Sequence, residues 1–524
     1  MKKIAYFTLL FMFFAHFSFS QGEIEALKYS RNELYGTARS MAMANAFGAL
    51  GGDITGVSIN PAGIGVYRSS EIVGTLGYMQ NNATVGDISK SVRDFNFHNF
   101  GFVGYYPLRN ESMPMINFGF AYNRQKAFNR VINGAGDGKS TMIDYIADRS
   151  YGVKPDLLKM DDDLPDPFLD QPWLSVLGYN SWLINARQNS AGDYEYTPLN
   201  TKGEIPFQEV FSSERGYIDQ YDLTFGTTLN NVLNIGVTIN VADLYHNLST
   251  DFLEDFNSGG YTLENDITTT GAGVGAKFGL IYRPINEFRI GLAYHTPMWY
   301  SMTEVFKAAI DDDMGAYVTD PDYEKGRSFS ATFTNYYDLK TPGKVVLSAA
   351  SVLGNNFILS ADYELTDYSN MNLRVPAGHS DKNWYDIDNE YINQDFKLTS
   401  TFKLGMEYRF DQQLSARLGY AWMQNPYDYE FRVNGGDAAV SGSNTIFRME
   451  GDTHYFTGGI GYRFSRAFYA DFALVYQEQS DQLFPFPNLY EYSGDSRGQL
   501  VIDAAPFDLK VSSLRGLLTL GYRF

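Results

Sequence analysis

The side chains that could do chemistry are few and scattered. Of six histidines, His98, His246, His295, His379 and His454 remain beyond the first twenty residues, and no two stand at metal-ligand spacing. Cysteine is absent, which removes disulfides, thiolate ligands and a lipidated N-terminal cysteine. There is no nucleophile elbow, no phosphate-cradling glycine loop and no histidine placed for a triad, so the expectation is a protein that is not an enzyme and holds no metal or cofactor. Asp161-Asp162-Asp163 and Asp311-Asp312-Asp313 are acidic runs that could draw divalent cations from a lipopolysaccharide layer, but they read more simply as solvated loop. With a net charge of −20, nucleic-acid binding is excluded for want of a basic footprint.

What remains is recognition. Leu164 to Ile184 (LPDPFLDQPWLSVLGYNSWLI) is apolar and aromatic in a region that should meet water, and exposed apolar patches mark binding sites. Trp173, Leu174, Val176, Leu177, Tyr179, Trp182 and Leu183 would form a greasy landing surface for an amphipathic molecule; the alternative is a lid with its own small core. An anionic headgroup needs a cation, and Arg417 and Arg515 are the candidates nearest mid-height of the strands described next. The competing reading is a ladder of paired charges, because Asp222, Lys277, Arg289, Asp362, Glu364, Lys403, Glu407, Arg409 and Asp471 are expected to share their compartment.

The elements that must position these residues are strands. Met1 to Ser20 has Lys2 and Lys3, an apolar core from Ile4 to Phe14, and Ser18-Phe19-Ser20 at small-residue spacing: a secretory signal peptide that exports the protein. No later run of about twenty apolar residues exists, so a helical membrane protein is not expected. Aromatic content of 16% with 49 glycines suits the remaining solution, a closed barrel in which every backbone group is paired and every second side chain meets lipid. Fourteen alternating segments are legible, at about 71–80, 95–106, 114–124, 216–229, 233–246, 268–283, 287–296, 343–353, 357–368, 394–410, 412–423, 452–464, 466–479 and 508–524. Phe402, Leu404, Met406, Tyr408 and Phe410 interleave with Lys403, Gly405, Glu407 and Arg409, and Leu514, Leu518, Leu520, Tyr522 and Phe524 with Arg515, Thr519 and Arg523. Short turns such as Asn230-Asn231, Asp411-Gln412 and Ser465-Arg466 alternate with long connections at 81–94, 125–215, 247–267, 297–342, 369–393, 424–451 and 480–507. Such barrels keep short turns in the periplasm and long loops outside.

Before the first strand, Gly36 to Ser69 (GTARSMAMANAFGALGGDITGVSINPAGIGVYRS) contains only two charges before Gly65, Arg39 and Asp53, and needs a dry or enclosed site. Thr37 caps a short helix running through Phe47, glycines break it, and Asn60-Pro61-Ala62 pins the chain as a rigid corner. Residues 21–35 are polar and expected in the periplasm or at the barrel mouth. The division is therefore 1–20 signal peptide, 21–69 plug, and 70–524 barrel.

Asn60-Pro61-Ala62, the strand count and the closing Tyr522-Arg523-Phe524 resemble the FadL-type outer-membrane transporters of long-chain fatty acids and other hydrophobic compounds. The resemblance implies an all-β, fourteen-stranded antiparallel transmembrane barrel with an N-terminal hatch in the lumen. It also implies a monomer in the outer membrane of a Gram-negative bacterium, surrounded by lipid and lipopolysaccharide and inserted by the barrel assembly machinery. Its function would be passive transport of a fatty acid-like molecule or aromatic hydrocarbon, with Phe47, Asn60, Pro61 and Ala62 gating release and a sideways exit near Pro114 to Arg124, where Gly119 could permit a bend. Three other functions stay open: a shuttle barrel that docks secreted proteins, similar to those of type IX secretion; a haem-binding receptor using His246 with His295, since relatives are described as haemin receptors; and a general pore. A TonB-dependent receptor would need a larger plug and more strands.

Overall fold

The structure is a computed structural model, and it describes residues 22–524 except 162, 319–326, 355, 379–380, 434–437, 439–441 and 494–495. The signal-peptide residues, His379 and the centre of the Asp161 to Asp163 run lie outside the described residues.

Fourteen antiparallel strands form a closed wall: β1 Glu71–Val85, β2 Ile88–Pro107, β3 Met115–Ala127, β4 Phe207–Leu229, β5 Leu233–Phe256, β6 Gly259–Ile285, β7 Phe288–His295, β8 Lys344–Leu353, β9 Phe357–Asp367, β10 Leu398–Arg409, β11 Leu414–Met423, β12 Thr453–Arg463, β13 Phe468–Phe484 and β14 Phe507–Arg523. Each pairs with its sequence neighbour, and β1 pairs with β14 from Glu71↔Arg523 to Val85↔Leu509, which closes the cylinder. The alternation read from the sequence is the alternation observed. Leu514, Leu518, Leu520 and Tyr522 face outward while Arg515 and Thr519 are buried. Phe402, Leu404, Met406 and Tyr408 likewise look out while Lys403 and Glu407 look in. The Asn230-Asn231 turn takes positive φ at both residues, the geometry that a two-residue hairpin demands and that asparagine tolerates.

Several connections read as loops are strand. β6 runs for 27 residues, whereas about ten cross the hydrocarbon, so the wall continues well past the bilayer at the long-connection end. The 81–94 and 247–267 connections reduce to the turns Gly86-Asp87 and Asn257-Ser258. Beyond the membrane the outward face meets water while the inward face, with Phe252, Phe256, Tyr261 and Leu263, packs into the apolar core at that end, so the lipid-facing pattern of apolar-out residues ends while backbone pairing persists. The 297–342 connection contributes Trp299–Asp312, which replaces β7 as the neighbour of β6 along Tyr261–Val274, and Phe333–Lys340 beside it.

The sideways gap expected at Gly119 is absent. β3 is hydrogen-bonded on both edges from Ile116 to Asn123, to β2 and to β4. Gly119 makes room for Ile64 of the N-terminal segment, whose side chain packs against it.

That segment fills the lumen. Helix α1 (Glu23–Ser30) does not sit in the periplasm or at a mouth as its polarity suggested, because Ile24, Leu27 and Tyr29 are buried inside the wall. Thr37 caps α2 (Ala38–Met41), accepting from Ser40 N at 3.2 Å. This helix stops well before Phe47, since Ala44 and Asn45 adopt positive φ and the Asn45 side chain bonds back to Tyr35 O at 2.9 Å. Asp53 caps α3 (Ile54–Ile59) through Thr55 N at 2.9 Å and accepts from the Thr37 hydroxyl at 2.9 Å.

The wall is carved to receive it at the 3-10 turn Pro61–Val66. A methyl at Gly236 would collide with Pro61 O, and one at Gly279 with the Asn60 side chain. Gly236→Val should therefore displace the corner and leave a water path. The expected result is higher single-channel conductance in planar bilayers than the wild-type barrel, and unchanged conductance would contradict the fit.

Candidate functional site

The site begins with the corner. Asn60, fully buried, donates from Nδ2 to Gly48 O at 2.7 Å and to Leu280 O of β6 at 3.1 Å, while its Oδ1 accepts from Ala62 N at 3.1 Å. One side chain thus ties two turns of the segment to the wall. Lys277 donates to Ser58 O at 2.9 Å, His295 Nε2 meets Ile59 O at 2.7 Å, and Asn123 donates to Ser58 Oγ at 2.8 Å. Phe47 is fully buried beneath the Arg39 guanidinium, 5.4 Å from its ring centre.

Most of the charges inside are paired, whereas Arg289 donates to Leu50 O and Asp362 accepts from Gly48 N. Arg39 donates to Glu407 at 3.1 Å, Arg417 donates to Glu407 at 2.8 Å and to Asp471 at 2.6 Å, and Lys403 and Lys344 both reach Glu364. Arg515 donates to Glu33 at 2.6 Å, to Leu34 O at 3.0 Å and to Gln477 at 2.7 Å, and lies 4.6 Å from the Tyr35 ring centre. Arg417 and Arg515, expected to await a ligand carboxylate, are instead committed to carboxylates already present. A buried guanidinium without a counterion is too costly to leave standing. Arg39 was the signal the sequence offered: a charge in a dry segment must be matched across the gap.

The greasy landing surface is also corrected. Thr141 and Trp173 begin the cap that closes the long-connection end. In it α4 (Met142–Arg149) and α5 (Trp173–Asn180) pack on each other and on the accessory strands. Trp173, Leu174 and Leu177 are buried, with Trp173 packed among Phe168 at 4.8 Å, Phe306 at 4.6 Å and Phe333 at 5.0 Å in edge-on and tilted contacts; Trp182 is partly buried beside them in sequence. An apolar stretch of this size gains more by making its own core than by facing water, so the lid reading holds. Buried Glu254 anchors the cap to the wall, accepting from Thr141 Oγ1 at 2.8 Å, Met142 N at 2.9 Å and Gln208 at 2.8 Å.

Between segment and wall lies a cavity of about 140 Å³. Its lining is polar and includes Tyr35, Asn45 and Ser58 from the segment, and Asn240, Lys277 and Lys403 from the wall. His246 bonds Tyr29 at 3.0 Å and His295 bonds the segment backbone, so these two histidines serve the packing of the segment rather than one another.

The sequence model of the outer membrane protein transport protein family (OMPP1/FadL/TodX) matches residues 219–505. The chain belongs to that family. Its barrel is an outer-membrane barrel of a Gram-negative type, as the wall already indicated. Among solved structures, a Pseudomonas aeruginosa FadL homologue is similar at 12% identity and a TM-score of 0.52 over 94% of this chain and 99% of the other. The Ralstonia pickettii toluene transporter TbuX is similar at 14% identity and 0.49, again over 94% and 99%. The Pseudomonas putida toluene transporter TodX follows at 11% identity and 0.49 over the same shares. These likenesses concern the fold. No curated protein sequence matches the chain.

Inside the wall toward the long-connection end, Glu450 joins the segment to the wall by accepting from Arg31 at 2.5 Å and from Arg448. Burial alone would raise its carboxyl, but Arg448 and Arg31 outweigh burial and hold it well below the usual carboxylate range. A depressed native value stabilises the folded state above the unfolded value of about 4.3 and loses that contribution as pH falls toward the native one. Protease cleavage near Arg31 should therefore appear below about pH 4 and be absent at pH 7, and Glu450→Gln should show it at both. Glu407→Gln leaves Arg39 and Arg417 competing for Asp471 and should destabilise the barrel by about 3 kcal/mol, read as urea unfolding in lipid vesicles.

Proposed function

We propose that this barrel admits a hydrophobic or amphipathic small molecule across the outer membrane without an energy source, and that the N-terminal segment is its gate. The observation that carries this reading is the closed lumen. The segment occupies the cylinder from α1 to Tyr67, yet apart from the backbone bond from Glu33 N to Gln125 O its hold on the wall rests mainly on separable side-chain bonds and close packing on glycines. Such contacts can be exchanged without breaking the wall's ladder. Family membership supports the same reading, since the matched family is one of outer membrane transport proteins, and toluene transporters share the fold.

Cargo would pass the cap, enter the cavity beside Tyr35 and Lys277, and leave when Asn60-Pro61-Ala62 and Phe47 shift. The polar lining favours an amphipathic molecule with an uncharged or anionic head over a bare aromatic hydrocarbon, because hydrocarbon buried against unpaired amides such as the Asn240 carbonyl oxygen would leave them desolvated. The cap, with its aromatics turned inward, supports entry by opening rather than by adsorption to an exposed surface.

Uptake of a labelled long-chain fatty acid and of p-xylene by cells with the gene, without it, and with Asn60→Ala/Pro61→Ala tests the reading. Several-fold faster uptake of the fatty acid by the wild type, changed by the double variant, is expected. Equal uptake by all three strains would remove the transport role.

A further inference from the structure

At the short-turn end the N-terminal segment stops short of the opening and leaves a vestibule of about 660 Å³. Arg39, Arg409, Arg417, Arg463, Arg466 and Arg523 line it, against four carboxylates, and no lysine does. This is a basic surplus in a chain whose net charge is −20. Most of these guanidiniums are engaged: Arg417 with Glu407 and Asp471, Arg39 and Arg409 with Glu407, and Arg523 with Glu71. Arg463 and Arg466 are exposed and have no carboxylate within ion-pair distance among the described residues.

The direction these groups face selects what can reach them. Tyr408, Tyr462 and Tyr522 point outward to hydrocarbon, so strand alternation turns Arg409, Arg463 and Arg523 to the lumen side, away from the plane of lipid headgroups. An arginine fork grips both oxygens of one carboxylate, and several forks around one open mouth match several carboxylates carried on one chain. Outer-membrane barrels present this end to the periplasm.

We propose that the vestibule docks an acidic segment of a periplasmic protein, with its carboxylates on Arg463 and Arg466. The site shares Arg39 with the lumen-filling segment. A docked carboxylate would compete with Glu407 for Arg39 and loosen the segment from below, which couples docking to the floor of the lumen. The inference goes beyond the transport reading and does not depend on it.

The test uses the full barrel in nanodiscs of neutral lipid and a fluorescein-labelled hexaglutamate peptide, followed by fluorescence anisotropy. The peptide should bind, hexalysine should not, and affinity should fall as salt rises. Arg463→Gln/Arg466→Gln should weaken binding at least tenfold while keeping the wild-type heat-modifiable migration that reports a closed barrel; if that migration is lost, Arg466→Gln alone, in a turn, should still weaken binding severalfold. Unchanged affinity in a folded variant would overturn the proposal. Displacement of the peptide by equimolar inorganic phosphate or short-chain phosphatidylglycerol would overturn it too, assigning the mouth to small anions or headgroups.

Discussion

Everything in this molecule depends on one constraint: in hydrocarbon no backbone N–H or C=O can be left unpaired. The pairing of β1 with β14 along the whole of Glu71–Val85 meets it, because without that seam a fourteen-stranded sheet would expose two edges to lipid. Closure then fixes the rest. One side chain in two must be apolar, the other looks into a space too wide to be filled by wall side chains alone, and something else must fill that space.

The filler is the N-terminal segment, and the wall has been shaped for it. Gly236 and Gly279 give up their side chains where Asn60 and Pro61 press against the strands, so backbone meets backbone. The charges obey the same logic. A polar lumen brings acids and bases together out of bulk water, and many of the buried charges are paired with opposite ones, often across the boundary between segment and wall, as with Arg39 and Glu407 or Arg515 and Glu33; Glu254 and Lys126 are held by neutral donors and backbone carbonyls instead. Packing makes the segment fit; the ion pairs fix its register.

The wall was legible in the sequence because lipid imposes a strict period of two, which is why Phe402 to Phe410 and Leu514 to Phe524 read correctly residue by residue. Where that pressure ends, legibility ends. The upper halves of β5 and β6 looked like loop because their outward face meets water and their apolar residues, such as Phe252 and Leu263, turn inward to the cap, which ends the apolar-out period that lipid imposes. The cap was misread for another reason. Trp173, Leu174 and Leu177 announce burial, but their partners Phe306 and Phe333 lie more than a hundred residues away, and single-sequence reading cannot see across that separation. Arg417 and Arg515 were correctly placed facing inward, yet whether an inward arginine greets cargo or a resident carboxylate is decided by tertiary neighbours such as Glu33 and Asp471. The Asn-Pro-Ala corner was the exception, a local motif whose rigidity could be read without the fold.

The claim at the centre is that the segment must move for cargo to pass. The chain has no cysteine, so a disulfide introduced between Ser58→Cys and Asn123→Cys, whose side chains touch at 2.8 Å, would tie segment to wall with no competing thiol. Fatty-acid uptake by cells carrying that variant, measured oxidised and after reduction with dithiothreitol, is the direct test. Uptake blocked when oxidised and restored on reduction is the expected result; equal uptake in both states would mean that cargo passes a segment that never moves.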